Sequence, residues 1–182
     1  MSYLVLADVK EYLNISGTGS DTELPKVIAR AEGALASKVG PLAPTSITAK
    51  VRGMGSALLP PVTPIASLTS VTPTGGTALP LSALVTPETG LRGPQRIEYA
   101  SGTWFSAYWY DVVYQAGRTT VPDALTEAAY EMVELLWRSQ RGNSPGAQNA
   151  LPGDEQPAPD SRADMMPPHI QRLIAPYEQV WL

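Results

Sequence analysis

Cysteine is absent from the 182 residues, and histidine and phenylalanine each occur once. Without cysteine there can be no disulfide, no thiolate nucleophile and no sulfur-ligated metal site. The lone histidine, His169, stands beside two prolines. It could complete a nucleophile triad only with a placed serine and carboxylate, and no G-x-S-x-G elbow is present. The glycines at 17–19 lack the lysine and the preceding strand that a phosphate loop requires. Charge is sparse, at 16% of residues with a formal net charge of −4. This argues against electrostatic capture of nucleic acid, although a mildly acidic wall would let DNA pass without holding it. No run approaches the roughly 18 apolar residues that span a bilayer. The opening MSYLVLADVKEYL carries no basic leader or cleavage site. These absences predict a soluble protein made in the cytosol, with no membrane partner, no cofactor, no metal and no catalytic residues.

Proline and glycine are abundant, with 18 and 15 residues. They predict many turns and short strands. Residues 6–14 space Leu6, Val9 and Leu13 as a short helix. Ser20 with Glu23 forms a capping-box pattern, and Pro25 fits a first turn, so a second helix is expected over 21–39. Its apolar positions are Leu24, Val27, Ile28, Ala31, Leu35 and Val39. Gly33 and the alanines at 29, 31, 34 and 36 leave it a slim surface suited to close packing. From 44 to 117 the pattern changes to β-branched runs at 47–51, 65–71, 81–86, 96–99 and 108–115. Hairpin tips are expected at Thr74–Thr77, Glu88–Gly90 and Ser101–Gly102. A third helix over 122–141 places Leu125, Ala128, Ala129, Met132, Val133 and Leu136 on one stripe. Leu135 and Trp137 lie off that stripe and are candidate interface residues. Residues 143–166, rich in Pro, Gly and Asp, read as a flexible linker. A terminal segment, 167–182, regains a short helix with Ile170, Leu173 and Ile174 on one side. The fold class expected is α+β: a small helical bundle with an inserted antiparallel β region and an extended C-terminal arm. Residues 1–142 form its main domain.

Polar groupings remain, and each has a simple reading. Glu127, Glu131 and Glu134 share a helix face; glycosidase or di-metal work would need complementary carboxylates elsewhere plus a His partner, so they read as a solvated acidic stripe. In a ring, that stripe could face a neighbour's arginines or line a channel. Asp154, Glu155, Asp160 and Asp164 sit in a proline-rich stretch and read as acidic linker rather than a calcium site. Trp104, Phe105, Tyr108, Trp109, Tyr110 and Tyr114 concentrate around one strand. With few basic residues near, they read as sheet core plus a protein interface at Trp109, not as a base-stacking platform.

Four stretches in order carry a resemblance: LADVKEYLNISGTGSDTELPKVIARAEGALASKVG, LLPPVTPIASLTSV, YDVVYQAGRTTVPDALTEAAYEMVELLWRSQRG and PPHIQRLIAPYEQ. Together they resemble the head-to-tail connector (adaptor) proteins of long-tailed double-stranded DNA bacteriophages. The resemblance implies a non-enzymatic virion protein of the neck. It would form a homo-oligomeric ring, typically a dodecamer, between the portal protein and the stopper or tail-completion protein. DNA would cross its channel without sequence-specific binding during packaging and ejection. The alternative within the same assembly is a stopper, tail-completion or tail-terminator protein, for which a mostly β chain would be expected. An apolar terminus after a linker suits docking. Ile170, Leu173, Ile174, Tyr177 and Trp181 are therefore expected to grip the portal or a neighbouring subunit. Deleting 167–182 is expected to abolish attachment to portal-bearing heads while leaving the domain folded, as measured by co-sedimentation with heads and by circular dichroism.

Overall fold

The structure, a computed structural model, describes residues 2–53, 55–106, 108–140 and 166–179. Of the expected linker only Met166 falls within these, and Trp181 lies outside them. The fold is α+β, with two three-stranded antiparallel sheets and, among the described residues, four α-helices. Two compact units are each assembled from separate stretches. The helical unit takes Ser2–Ala34 and Pro122–Ala175, and the β unit takes Leu35–Val121 and Pro176–Leu182.

The helical unit contains α1 (Leu6–Tyr12), the first part of α2 (Leu24–Val39), α3 (Asp123–Gln140) and α4 (Pro168–Ile174). The start of α1 is as the sequence predicts, but the helix ends two residues early. Leu13 leaves helical geometry and Asn14 takes a left-handed conformation, φ 53°. Asparagine tolerates that region better than most residues. The second helix begins at Leu24 rather than near Asp21; Ser20–Glu23 forms a turn leading into it, in which Ser20 O accepts from Leu24 N at 2.9 Å. Leu24, Val27, Ile28 and Ala31 are buried, so the predicted apolar stripe is the packed one. In α3 the buried stripe runs through Leu125, Ala128, Ala129, Met132 and Val133 and then to Trp137. Leu136, expected on the stripe, is only half-buried.

One carboxylate fixes the start of the chain. Glu32 Oε1, on α2, accepts from Tyr3 N at 2.8 Å, Leu4 N at 2.7 Å and Ser2 Oγ at 2.9 Å. Leu4 is then buried and Tyr3 Oη reaches Thr126 Oγ1 on α3 at 2.8 Å. The Tyr12 ring stacks on Tyr130 with centroids 4.9 Å apart, bringing α1 against α3.

The β unit contains β1 (Thr45–Arg52), β2 (Ala57–Leu58), β3 (Ile65–Pro73), β4 (Leu84–Val85), β5 (Ile97–Tyr99) and β6 (Trp109–Ala116). In the larger sheet β6 is central, between β1 and β3; in the smaller, β5 lies between β2 and β4. Strict alternation along β6 buries Tyr110, Val112, Tyr114 and Ala116. They join Val51, Leu58, Ile65, Val71, Leu84, Ile97 and Phe105 in one core drawn from both sheets. Tyr114 is fully buried, and its hydroxyl donates to Val62 O at 2.9 Å and accepts from Val62 N at 3.2 Å. Burial pushes its phenol above the ordinary value, and the bond to the Val62 backbone partly opposes this.

The three expected hairpins are corrected in part. Only the Glu88–Gly90 region joins neighbouring strands, β4 and β5. The turn at 74–77 brings the chain back on β3, with Leu79 N donating to Val71 O at 2.8 Å, and then sends it to the other sheet. Ser101–Gly102 likewise carries the chain from one sheet to the other. The run at 81–86 begins with a 3₁₀ turn, Leu81–Ala83, and has only Leu84–Val85 in a strand.

Two glycines of the α2 region invite opposite expectations. Gly33 lies in mid-helix with nothing within 4 Å of an added Cβ, whereas Gly40, at φ +77°, would bring that Cβ to 1.8 Å from Thr63 O. Gly33→Ala should therefore stabilise the free chain by up to about 1 kcal/mol. Gly40→Ala should destabilise it by roughly 2–4 kcal/mol, from left-handed strain plus the clash. Chemical denaturation of both variants checks the pair.

Candidate interaction surface

The outward positions of β6 begin with Trp109, which is opposite Arg52 of β1. Beyond that pair the two chains continue side by side. Gly53 N donates to Tyr108 O at 2.9 Å, and Phe105 N donates to Gly55 O at 2.7 Å. Phe105 turns into the core, while Trp104, Tyr108 and Trp109 are 75%, 68% and 52% exposed. The glycines make this ribbon possible. A Cβ at Gly53 would fall 2.2 Å from Ser106 O, and at Gly55 it would lie beside the Trp104 ring. The result is a sheet end with three uncovered aromatic rings. Two cations flank it: Arg52, with no partner among the described residues, and Lys50, whose Nζ is 4.0 Å from Asp111 Oδ1. At that distance and exposure the ion pair holds little of the lysine's charge.

The expected docking residues are placed differently. Ile170 and Ile174 of α4 have no exposed surface, Tyr177 is buried and Leu173 is half-buried. The apolar side of α4 is thus occupied within the helical unit, where α4 packs on α3. Deleting 167–182 would open that core, so the deletion cannot report on docking alone. Trp137 is buried and Leu135 half-buried, leaving Trp109 as the freely exposed member of the three expected interface residues.

Within the β unit, Pro176–Gln179 forms a latch on the end of α2. Gln179 N donates to Lys38 O at 2.9 Å, and its Nε2 donates to Val39 O at 3.0 Å. Its Oε1 accepts from Thr63 Oγ1 at 2.5 Å and from Gln95 Nε2 at 3.1 Å. Arg118, only 8% exposed, donates from Nη1 to the same Val39 carbonyl at 2.8 Å. Its guanidinium carbon lies 5.9 Å from the Tyr177 ring centroid. A cation at a helix C-terminus meets unpaired carbonyls and the negative end of the helix dipole, which compensates part of its burial. Burial still pulls the Arg118 pKa below its ordinary value, with Tyr177 acting in the opposite direction. Its Nη2 is buried and without a hydrogen-bond partner.

Two carboxylates of the acidic stripe of α3 have side chains beside them. Arg138 Nη2 pairs with Glu134 Oε1, Tyr12 Oη donates to Glu134 at 3.4 Å, and His169 Nε2 lies 3.4 Å from Glu131 Oε2. Among the described residues no group of three or more His, Asp or Glu is placed to hold a metal ion, and no helix is long and apolar enough to cross a membrane. Sequence patterning had missed Arg118, Gln179 and Glu32, since each acts on a backbone group far away in the chain. Replacing Arg118 by Met should cost about 2–3 kcal/mol of stability, and Gln179→Ala about 1–2 kcal/mol. Urea titration followed by tryptophan fluorescence checks both.

No family model matches the sequence, and no curated protein matches it either. A solved structure does resemble it: a chain from the neck of an empty GTA particle, computed with C6 symmetry. The two share a fold at a TM-score of 0.64, over 98% of this chain and 91% of that one, with 16% sequence identity.

Proposed function

We propose that this chain is a structural, non-enzymatic subunit of the neck of a phage-like particle. In this reading it is a ring-forming adaptor between the portal and the stopper or tail, with DNA passing through its channel. The observation that carries the reading is the likeness, over nearly all of both chains, to a protein of the GTA particle neck. The C6 symmetry of that neck favours multiple copies around an axis. The four ordered sequence stretches that resemble connector proteins support it independently. So does the uncovered aromatic ribbon, since exposed Trp, Tyr and Arg together are characteristic of protein contacts. The protein's place would then be the virion, at the head–tail interface.

Removing the protein from the particle that encodes it should leave DNA-filled heads without tails, and supplying it in trans should restore them. Normally tailed particles would overturn the proposal. The adaptor reading further expects the purified protein to bind portal-bearing heads with no other neck protein present. Binding only to heads that already carry another neck protein would make it a stopper, tail-completion or terminator protein instead.

A further inference from the structure

Two helix faces of the helical unit carry opposite charge and are left without partners. On α2, Lys26, Ala29, Arg30 and Gly33 fall at i, i+3, i+4 and i+7 and are all exposed, opposite the buried stripe of Leu24, Val27, Ile28 and Ala31. Neither cationic side chain has an ion pair or hydrogen bond among the described residues. The other face joins α1 to α3 around the stacked rings of Tyr12 and Tyr130. Glu11 and Glu127 are exposed there and have no ion-pair partner among the described residues either. We propose that the α2 face of one copy packs on the Tyr12 face of a second copy, setting Lys26 and Arg30 against Glu11 and Glu127.

Charge supplies the first argument. Burial, and after it Glu134, Glu127 and Glu131, push the Tyr12 phenol above its ordinary value. Burial, and then Asp8, Tyr3 and Glu11, do the same to Tyr130. Five carboxylates therefore act on one pair of rings, and Arg138 and His169 stand beside just two of them. Like charges gathered on one face repel, and a cationic surface brought against them relieves that repulsion. Shape supplies the second argument. Gly33 weakens the middle of α2 relative to alanine, yet nothing among the described residues lies within 4 Å of an added Cβ. With Ala29 one turn before it, the glycine leaves a low surface, and the distance between packed helices is set by the side chains at their contact. The third argument is the fit of arginine to the receiving face. A guanidinium forks onto a carboxylate and lies flat on an aromatic ring, and the Tyr12 ring is exposed between the acids of α1 and α3.

The two faces lie on different elements of the same unit, so each copy offers one and receives the other. Such a heterologous contact generates a ring when its rotation closes. The pairing rests on the ring reading above and names a lateral contact for it.

The test uses full-length chains supplied in trans to particles lacking the protein, with tailed particles counted by electron microscopy. Lys26→Glu with Arg30→Glu reverses one face, and Glu11→Lys with Glu127→Lys reverses the other. Each double variant alone should lower the count about tenfold or more, since like charges then meet at every contact. Supplying both variants together should restore most of the count, because every contact between unlike chains again joins opposite charges. Misfolding cannot imitate that rescue. Gly33→Gln should leave the melting temperature of the free chain at or above that of the unaltered one and still lower the count, by filling the low surface. A full count from either double variant alone overturns the contact, as does a full count from Gly33→Gln or no gain from supplying both variants. Failure of the unaltered chain to restore tails overturns the neck reading instead.

Discussion

A single backbone carbonyl organises much of the β unit. Val39 O, at the end of α2, accepts from Arg118 Nη1 and from Gln179 Nε2 together. The last carbonyls of a helix have no partner within it and must find donors elsewhere. Here the donors come from the segment after β6 and from the C-terminal latch, so closing one helix ties down both. Gly40, next in the chain, takes the left-handed conformation, and a Cβ there would run into the Thr63 carbonyl, so glycine is required on both counts. Thr63 in turn donates to Gln179 Oε1. The constraint therefore propagates: the helix end sets the glycine, the glycine admits the 63–64 loop, and the loop holds the latch.

Against that background, the exposed aromatics stand out. The same strand that supplies Tyr110, Val112 and Tyr114 to the core begins with a tryptophan facing outward. Alternation alone explains the direction of Trp109. It does not explain why Trp104, Tyr108 and Trp109, near one another in the chain, are all left uncovered. The larger sheet also leaves β1 and β3 as edges, and Lys50 on β1 is the kind of charge that discourages indiscriminate strand pairing. The ribbon is available to a partner while the adjacent edge is guarded.

Local patterns made much of this legible in the sequence. The stripes of α2 and α3 and the alternation of β6 are periodic signals, and periodicity records which face is buried. What escaped was whatever depends on pairing at a distance. Ile170 and Ile174 read as a sticky terminus because sequence cannot show that α3 already covers them. The turn at 74–77 looks like a hairpin tip because glycine marks a reversal but says nothing about which strand the chain meets next. Arg118 carries no local signal of its role, since the carbonyl it serves is nearly eighty positions away. The exposed ribbon was half legible: the aromatic concentration was evident, but which rings faced out required the register.

The size of the ribbon sets what it can do. Three large aromatic rings, covering about 150–250 Å² each when buried, could remove a few hundred Å² from water in one contact, given how much of each is already exposed. At about 25 cal/mol per Å² this amounts to roughly 5–10 kcal/mol. Association alone costs an estimated 4–15 kcal/mol in lost freedom. An isolated pair of copies held by such a contact would be weak. Several such contacts made together reinforce one another, since after the first the rest form between partners already held close. A contact of this strength holds only where several are made at once, because only then does the sum of small terms exceed the cost of association.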